Sequence, residues 1–123
     1  MPQKHPFKPI AVVVEDDEMQ RELVALLLEE SGLGVIECES AEAALKVLER
    51  MGASVAIMFT DVNLAGRTDG VELARYARHH YPNIHVIVTS GLSLPRRLPE
   101  GATFMPKPWL ALDLLREAAR SRH

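Results

Sequence analysis

The chain has 123 residues, of which 47% are apolar and 25% charged, enough for one domain with a hydrophobic core. Its net charge of −3 comes without a dominant basic stripe, which argues against a nucleic-acid surface. The apolar runs are too short to span a bilayer, and the lone Cys38 cannot form an internal disulfide, which suits a reducing compartment and a small buried hydrophobe.

Residues 1–9 carry three prolines and read as a flexible lead-in, leaving residues 10–121 as the domain. Ile10 to Val14 is apolar and mostly β-branched throughout, the pattern of a strand buried on both faces. A helix follows, with Met19, Leu23, Leu26 and Leu27 at helical spacing and Gly32 as its stop. Val35 to Glu39 is a short second strand. Ser40 then caps a helix with Ala44, Leu45 and Leu48 on one face. Val55 to Thr60 is another doubly buried strand and ends at Asp61. A loop through Gly66 reaches a third helix from about Val71 to His80, with Leu73, Ala74 and Ala77 inward. Val86 to Thr89 is the fourth strand. Pro95 and Pro99 in the next stretch leave room for one helical turn at most. Thr103 to Met105 is a brief fifth strand, and a last helix runs from about Ala111 to Ser121. Such alternation predicts a parallel sheet with helices on both faces.

Polar groups gather where those strands end. Glu15, Asp16 and Asp17 follow the first strand, Asp61 the third, Thr89 and Ser90 the fourth, and Lys107 the fifth. In open α/β sheets, function collects at those ends. Taken singly, Asp61 is a turn residue, the acidic run is the first turn of a helix, and Ser90 is a cap. Taken together they suit one chemistry. Neighbouring carboxylates need a cation among them, and oxygen donors without His or Cys point to Mg²⁺ or Mn²⁺. A carboxylate can act as nucleophile and become an aspartyl phosphate. Lys107 and the Ser90 hydroxyl can then meet the charge on the phosphoryl oxygens.

The stretches VVVEDDEMQR, FTDVNLAGRTDG, VIVTSG and FMPKPW resemble the receiver domain of two-component response regulators, from about Ile10 to Ala119. The resemblance implies a flavodoxin-like, doubly wound, five-stranded parallel sheet of order 2-1-3-4-5. It implies that Asp61 is the phosphoacceptor. Glu15, Asp16, Asp61 and the backbone carbonyl of Asn63 would hold the metal, with Met19 and Arg21 matching the residues that follow the acid pair. Ser90, rather than Thr89, aligns with the hydroxyl residue, Lys107 with the lysine, and Lys107–Pro108 with a cis bond. Phe104 occupies the position of an aromatic that turns inward with Ser90 on phosphorylation; plain core packing is the alternative for it. The implied partners are a histidine kinase or histidine phosphotransfer protein and a downstream protein target, in the cytoplasm, without nucleic acid or membrane. The implied role is a signalling switch, not an enzyme acting on other substrates.

Three features depart from that pattern. Ala65 replaces a usual proline in an Asp61-to-Gly70 loop one residue longer than usual. The stretch from Ser90 to Lys107 is shorter, so the helix between strands four and five is expected to be a turn or loop. The chain ends soon after its last helix, as a stand-alone receiver or a segment of a larger protein such as a hybrid kinase. Two other functions compete. A phosphorylation-independent interaction module is one. A haloacid-dehalogenase-type phosphatase is the other, but it needs an acid two residues beyond its nucleophile, where this chain has Asn63. Little else stands out: Trp109 is expected at the base of the last helix, Arg96 and Arg97 in a solvated loop.

Overall fold

A computed structural model describes residues 8–91 and 97–120. The lead-in assigned to residues 1–9 thus lies largely outside the described residues, as do Arg96 and Ser121. Five strands, β1 (Ile10–Val14), β2 (Gly34–Cys38), β3 (Val55–Asp61), β4 (His85–Ser90) and β5 (Thr103–Pro106), form one parallel sheet in the order β2-β1-β3-β4-β5. The helices are α1 (Glu18–Glu30), α2 (Ala41–Met51), α3 (Gly70–His80) and α4 (Ala111–Arg120). The fold is flavodoxin-like and doubly wound, as the resemblance implied. Between β4 and β5, described residues 97–102 are not helical.

Alternation along the strands divides the interior into two layers. Val12, Val14, Met58, Val86 and Val88 face α2 and α3, joining Ala44, Leu48, Leu73 and Ala77. Ala11, Val13, Ile57, Phe59 and Ile87 face α1 and α4, joining Val24, Leu28, Leu114 and Ala118. Burial on both sides is why β1, β3 and β4 read as unbroken apolar runs. No helix among the described residues is long and apolar enough to cross a membrane.

Local signals set the helix ends. Ser40 accepts from the Ala43 N–H, the expected cap of α2. Asp69 and Glu72 form a reciprocal capping box at the start of α3. Gly32 takes a φ of 91°, just past the C-cap Ser31 of α1. Its N–H donates to the Glu29 carbonyl and that of Leu33 to the Leu28 carbonyl, a Schellman ending that favours glycine.

One helix presents a different face from the one its spacing suggests. Met19, Leu23 and Leu26 mark the helical period, yet they are 81%, 53% and 53% exposed. The buried face of α1 is Val24, Ala25 and Leu28. The helix is apolar on more than one side, so periodicity located the helix and not its inward stripe.

The candidate phosphoacceptor site

The strand order reverses between β1 and β3, and their carboxyl ends deliver Glu15 and Asp61 side by side. The Glu15 N–H donates to the Cys38 carbonyl at 3.0 Å, which extends the β1–β2 ladder by one step. The two residues are 4% and 5% exposed, an unusual depth for carboxylates. Asp16 stays exposed at the rim. Asp17 is the N-cap of α1, accepting from the Gln20 N–H at 2.9 Å.

Lys107, just beyond β5, spans the pair. Its ammonium donates to Asp61 Oδ2 at 2.5 Å and lies 3.8 Å from Glu15 Oε1. Its backbone N–H donates to the Ser90 carbonyl at 2.9 Å, tying the loop after β5 to the end of β4. The Lys107–Pro108 bond is cis, in line with the resemblance. The other Asp61 oxygen, Oδ1, accepts from the Asn63 N–H at 2.9 Å. That contact uses the Asn63 backbone and points Asp61 into the site.

The electrostatics are uneven. Burial, reinforced by the charge of Asp61 and by hydrogen bonds with Asp16 and Asp61, outweighs the opposing Asp17 N–H and pushes Glu15 up to about 7. Glu15 therefore holds its proton closer to neutral pH than an ordinary carboxyl does. Cys38 is buried and its thiol is pushed up to about 11 by burial, so it is a small hydrophobe rather than a nucleophile. Among the described residues no three His, Cys, Asp or Glu side chains form a ready-made metal cage. Every candidate ligand on Glu15, Asp16, Asp61 and the Asn63 carbonyl is nevertheless an oxygen, the donor set of a hard divalent cation.

Ser90 ends β4, buried, one residue beyond Thr89, which lies opposite Asp61 in the β3–β4 register. The Thr89 hydroxyl is committed to the Met105 carbonyl at 2.7 Å. Phe104 lies opposite Val88 on β5 and is half-buried, lining an open cleft with Trp109, Asp113 and Arg116. Trp109 packs edge-on against Phe59 with ring centroids 5.7 Å apart. An apolar cavity of about 260 Å³ between Leu23, Val24, Phe59 and Trp109 borders Lys107.

Several supporting contacts could not be read from the sequence. Gln20 Oε1 accepts from the Lys107 ammonium at 3.1 Å. Arg21 donates to the Glu15 carbonyl at 2.9 Å and pairs with Glu37 at 3.4 Å. Glu42 of α2 accepts from the Thr68 N–H at 3.1 Å and so holds the long loop after Asp61. At Gly70 a Cβ would stand 1.9 Å from the Asp61 carbonyl oxygen. Only the Asp-Gly pair before α3 hinted at that close approach. Arg75 and Arg78 of α3 donate to the carbonyls of Arg97 and Glu100, so side chains from α3 hold the described non-helical residues 97–102 before β5.

The sequence profile of the response regulator receiver domain matches residues 11–115. The chain belongs to this family. It is 35% identical over 114 residues to the response regulator protein FleR of Pseudomonas aeruginosa, covering 89% of this chain and 24% of that protein. It is 34% identical over 103 residues to the sensor kinase CckA of Brucella abortus, covering 80% of this chain and 11% of that protein. The receiver thus spans a quarter or less of these relatives. In fold it is similar to a response regulator receiver protein of Sinorhizobium medicae, with a TM-score of 0.84, 21% identity and 94% of each chain covered. The receiver domain of the hybrid histidine kinase CckA gives a TM-score of 0.79 at 28% identity, covering 93% of this chain and 99% of that one. This chain is a receiver domain of two-component signalling.

Proposed function

We propose that this receiver takes a phosphoryl group onto the Asp61 carboxylate from a phosphohistidine on a histidine kinase or histidine phosphotransfer protein in the cytoplasm, and that the modification switches binding to a downstream protein. The supporting observation is the Lys107 ammonium seated on Asp61 Oδ2 beside a second buried carboxylate. Glu15, Asp16, Asp61 and the Asn63 carbonyl would hold Mg²⁺ or Mn²⁺. When bound, the metal supplies positive charge to the phosphoryl oxygens during transfer.

The protein's own groups do the rest. The Asn63 N–H orients Asp61. Lys107 stabilises charge on the incoming phosphoryl oxygens, to which one of its three N–H groups turns. Ser90, which aligns with the hydroxyl residue of the receiver pattern and is buried at the end of β4, supplies the hydroxyl. On phosphorylation Ser90 moves towards the new group and Phe104 turns inward behind it, which biases a two-state surface. The protein catalyses only its own phosphorylation and dephosphorylation.

Incubation with acetyl phosphate and Mg²⁺, followed by intact-mass measurement, tests the proposal. One phosphoryl group is expected, absent in Asp61→Asn and with EDTA. No gain, or the same gain in that variant, refutes it. An unchanged Phe104 rotamer on adding a beryllofluoride phosphate mimic would remove Phe104 from the switch.

A further inference from the structure

The start of α1 contains a capping arrangement that is only half made. Asp17 and Gln20 stand three apart, the spacing of an acid N-cap followed by an amide that reaches back to it. Asp69 and Glu72 complete the same arrangement at α3, where the Asp69 N–H donates to Glu72 Oε1 at 3.1 Å and the Glu72 N–H to Asp69 Oδ1 at 2.9 Å. At α1 only one half forms. The Gln20 N–H donates to Asp17 Oδ1, but the Asp17 N–H goes to Glu15 Oε2 at 3.2 Å instead of to Gln20. The Gln20 side chain is released and meets the Lys107 ammonium 87 residues away.

We infer that Gln20 is a positioning residue for the phosphoryl-transfer chemistry of Asp61, acting by holding the Lys107 ammonium at the site. The inference rests on the proposed phosphoacceptor role of Asp61. A lysine side chain has many rotamers, and freezing one at a reacting centre costs conformational entropy. Lys107 is partly exposed, and its other partners, Asp61 and the more distant Glu15, both lie at the ends of neighbouring strands, which leaves its stem room to swing. A second acceptor on α1, across the ammonium from β3, restricts that swing. When one N–H turns from Asp61 to a phosphoryl oxygen, the bond to Gln20 keeps the nitrogen in place. Gln20 borders the apolar cavity with Leu23 and Trp109, so anything that seats against this end of α1 adjoins the Gln20–Lys107 bond.

The test uses Gln20→Met, which keeps the length and loses the acceptor, and Gln20→Glu, which keeps it. With acetyl phosphate and Mg²⁺, Gln20→Met is expected to slow both phosphorylation of Asp61 and hydrolysis of the aspartyl phosphate by about threefold to tenfold, the net effect of losing one ordinary hydrogen bond at a partly exposed site. Both steps are displacements at the same phosphorus and both lean on Lys107. A purely structural role would reduce the fraction of protein that can be phosphorylated and leave the hydrolysis rate constant unchanged. Separately, ¹⁵N-lysine NMR of the unmodified protein should show a protected Lys107 ammonium signal in the wild type and in Gln20→Glu. That signal should broaden into solvent exchange in Gln20→Met. Wild-type rates and an unchanged Lys107 signal in Gln20→Met would overturn the inference. Failure of the wild type itself to gain a phosphoryl group would instead overturn the reading of Asp61.

Discussion

Replacing Glu15 by Gln should stabilise this receiver at alkaline pH when divalent cations are removed. The wild-type carboxyl rises from 4.5 to about 7 on folding, mainly through burial. The folded state therefore holds the proton more tightly than the unfolded chain does. That stabilisation is fully present below about pH 4.5 and is lost as pH rises through about 7. A difference of about 2.5 units corresponds to about 3 kcal/mol. Glutamine keeps the shape and cannot ionise. Its carbonyl can still accept from the Asp17 N–H, which now donates to Glu15 Oε2. In EDTA, urea unfolding should find Glu15→Gln about 1–3 kcal/mol more stable than wild type at pH 8 and within about 0.5 kcal/mol of it at pH 4.5. An equal effect at both pH values, or destabilisation at pH 8, would refute the argument that a buried charge is the cost. Adding Mg²⁺ should then raise the wild-type midpoint more than that of Glu15→Gln, because the variant has lost a ligand.

Gly70→Ala should cost about 2–4 kcal/mol in urea unfolding, since its Cβ would meet backbone at Asp61 that no rotamer change can move aside. An effect below about 0.5 kcal/mol would mean the turn relaxes freely. Asp69→Ala removes a cap that holds the Glu72 N–H and should cost about 1 kcal/mol, whereas a neutral change would show that solvent replaces the bond. His85, at the start of β4, faces Glu117 on α4 and Thr103 on β5, with Arg120 and Arg78 nearby. Burial lowers it below its ordinary value despite Glu117, so stability should decline as pH falls below about 6.5. NMR titration of His85 should find a midpoint below that of a free histidine, and a higher one would show that the Glu117 pairing wins.

Much of the site was legible because its residues carry local signatures. Each strand is a run of apolar residues, and each functional group directly follows such a run. Asp61 and Glu15 could be placed at neighbouring strand ends without coordinates, given the strand order that the resemblance implied. Gln20 and Glu42 could not. Both look like ordinary exposed helix residues, and their partners lie 87 and 26 residues away.

The lysine shows the same division. Its position after β5 was readable, but its hold on both carboxylates and on α1 depends on three elements meeting at one point. The doubly buried strands, the alternation of elements and the caps at Ser40 and Gly32 follow from the sequence, because period and turn chemistry act over a few residues. Which stripe of α1 turns inward, which carboxylate loses its water and which loop is held by Glu42 were decided by packing. The depth of Glu15 comes from strands on both sides and α1 above. A carboxylate written beside Val14 comes to hold its proton up to about pH 7 only when they close around it.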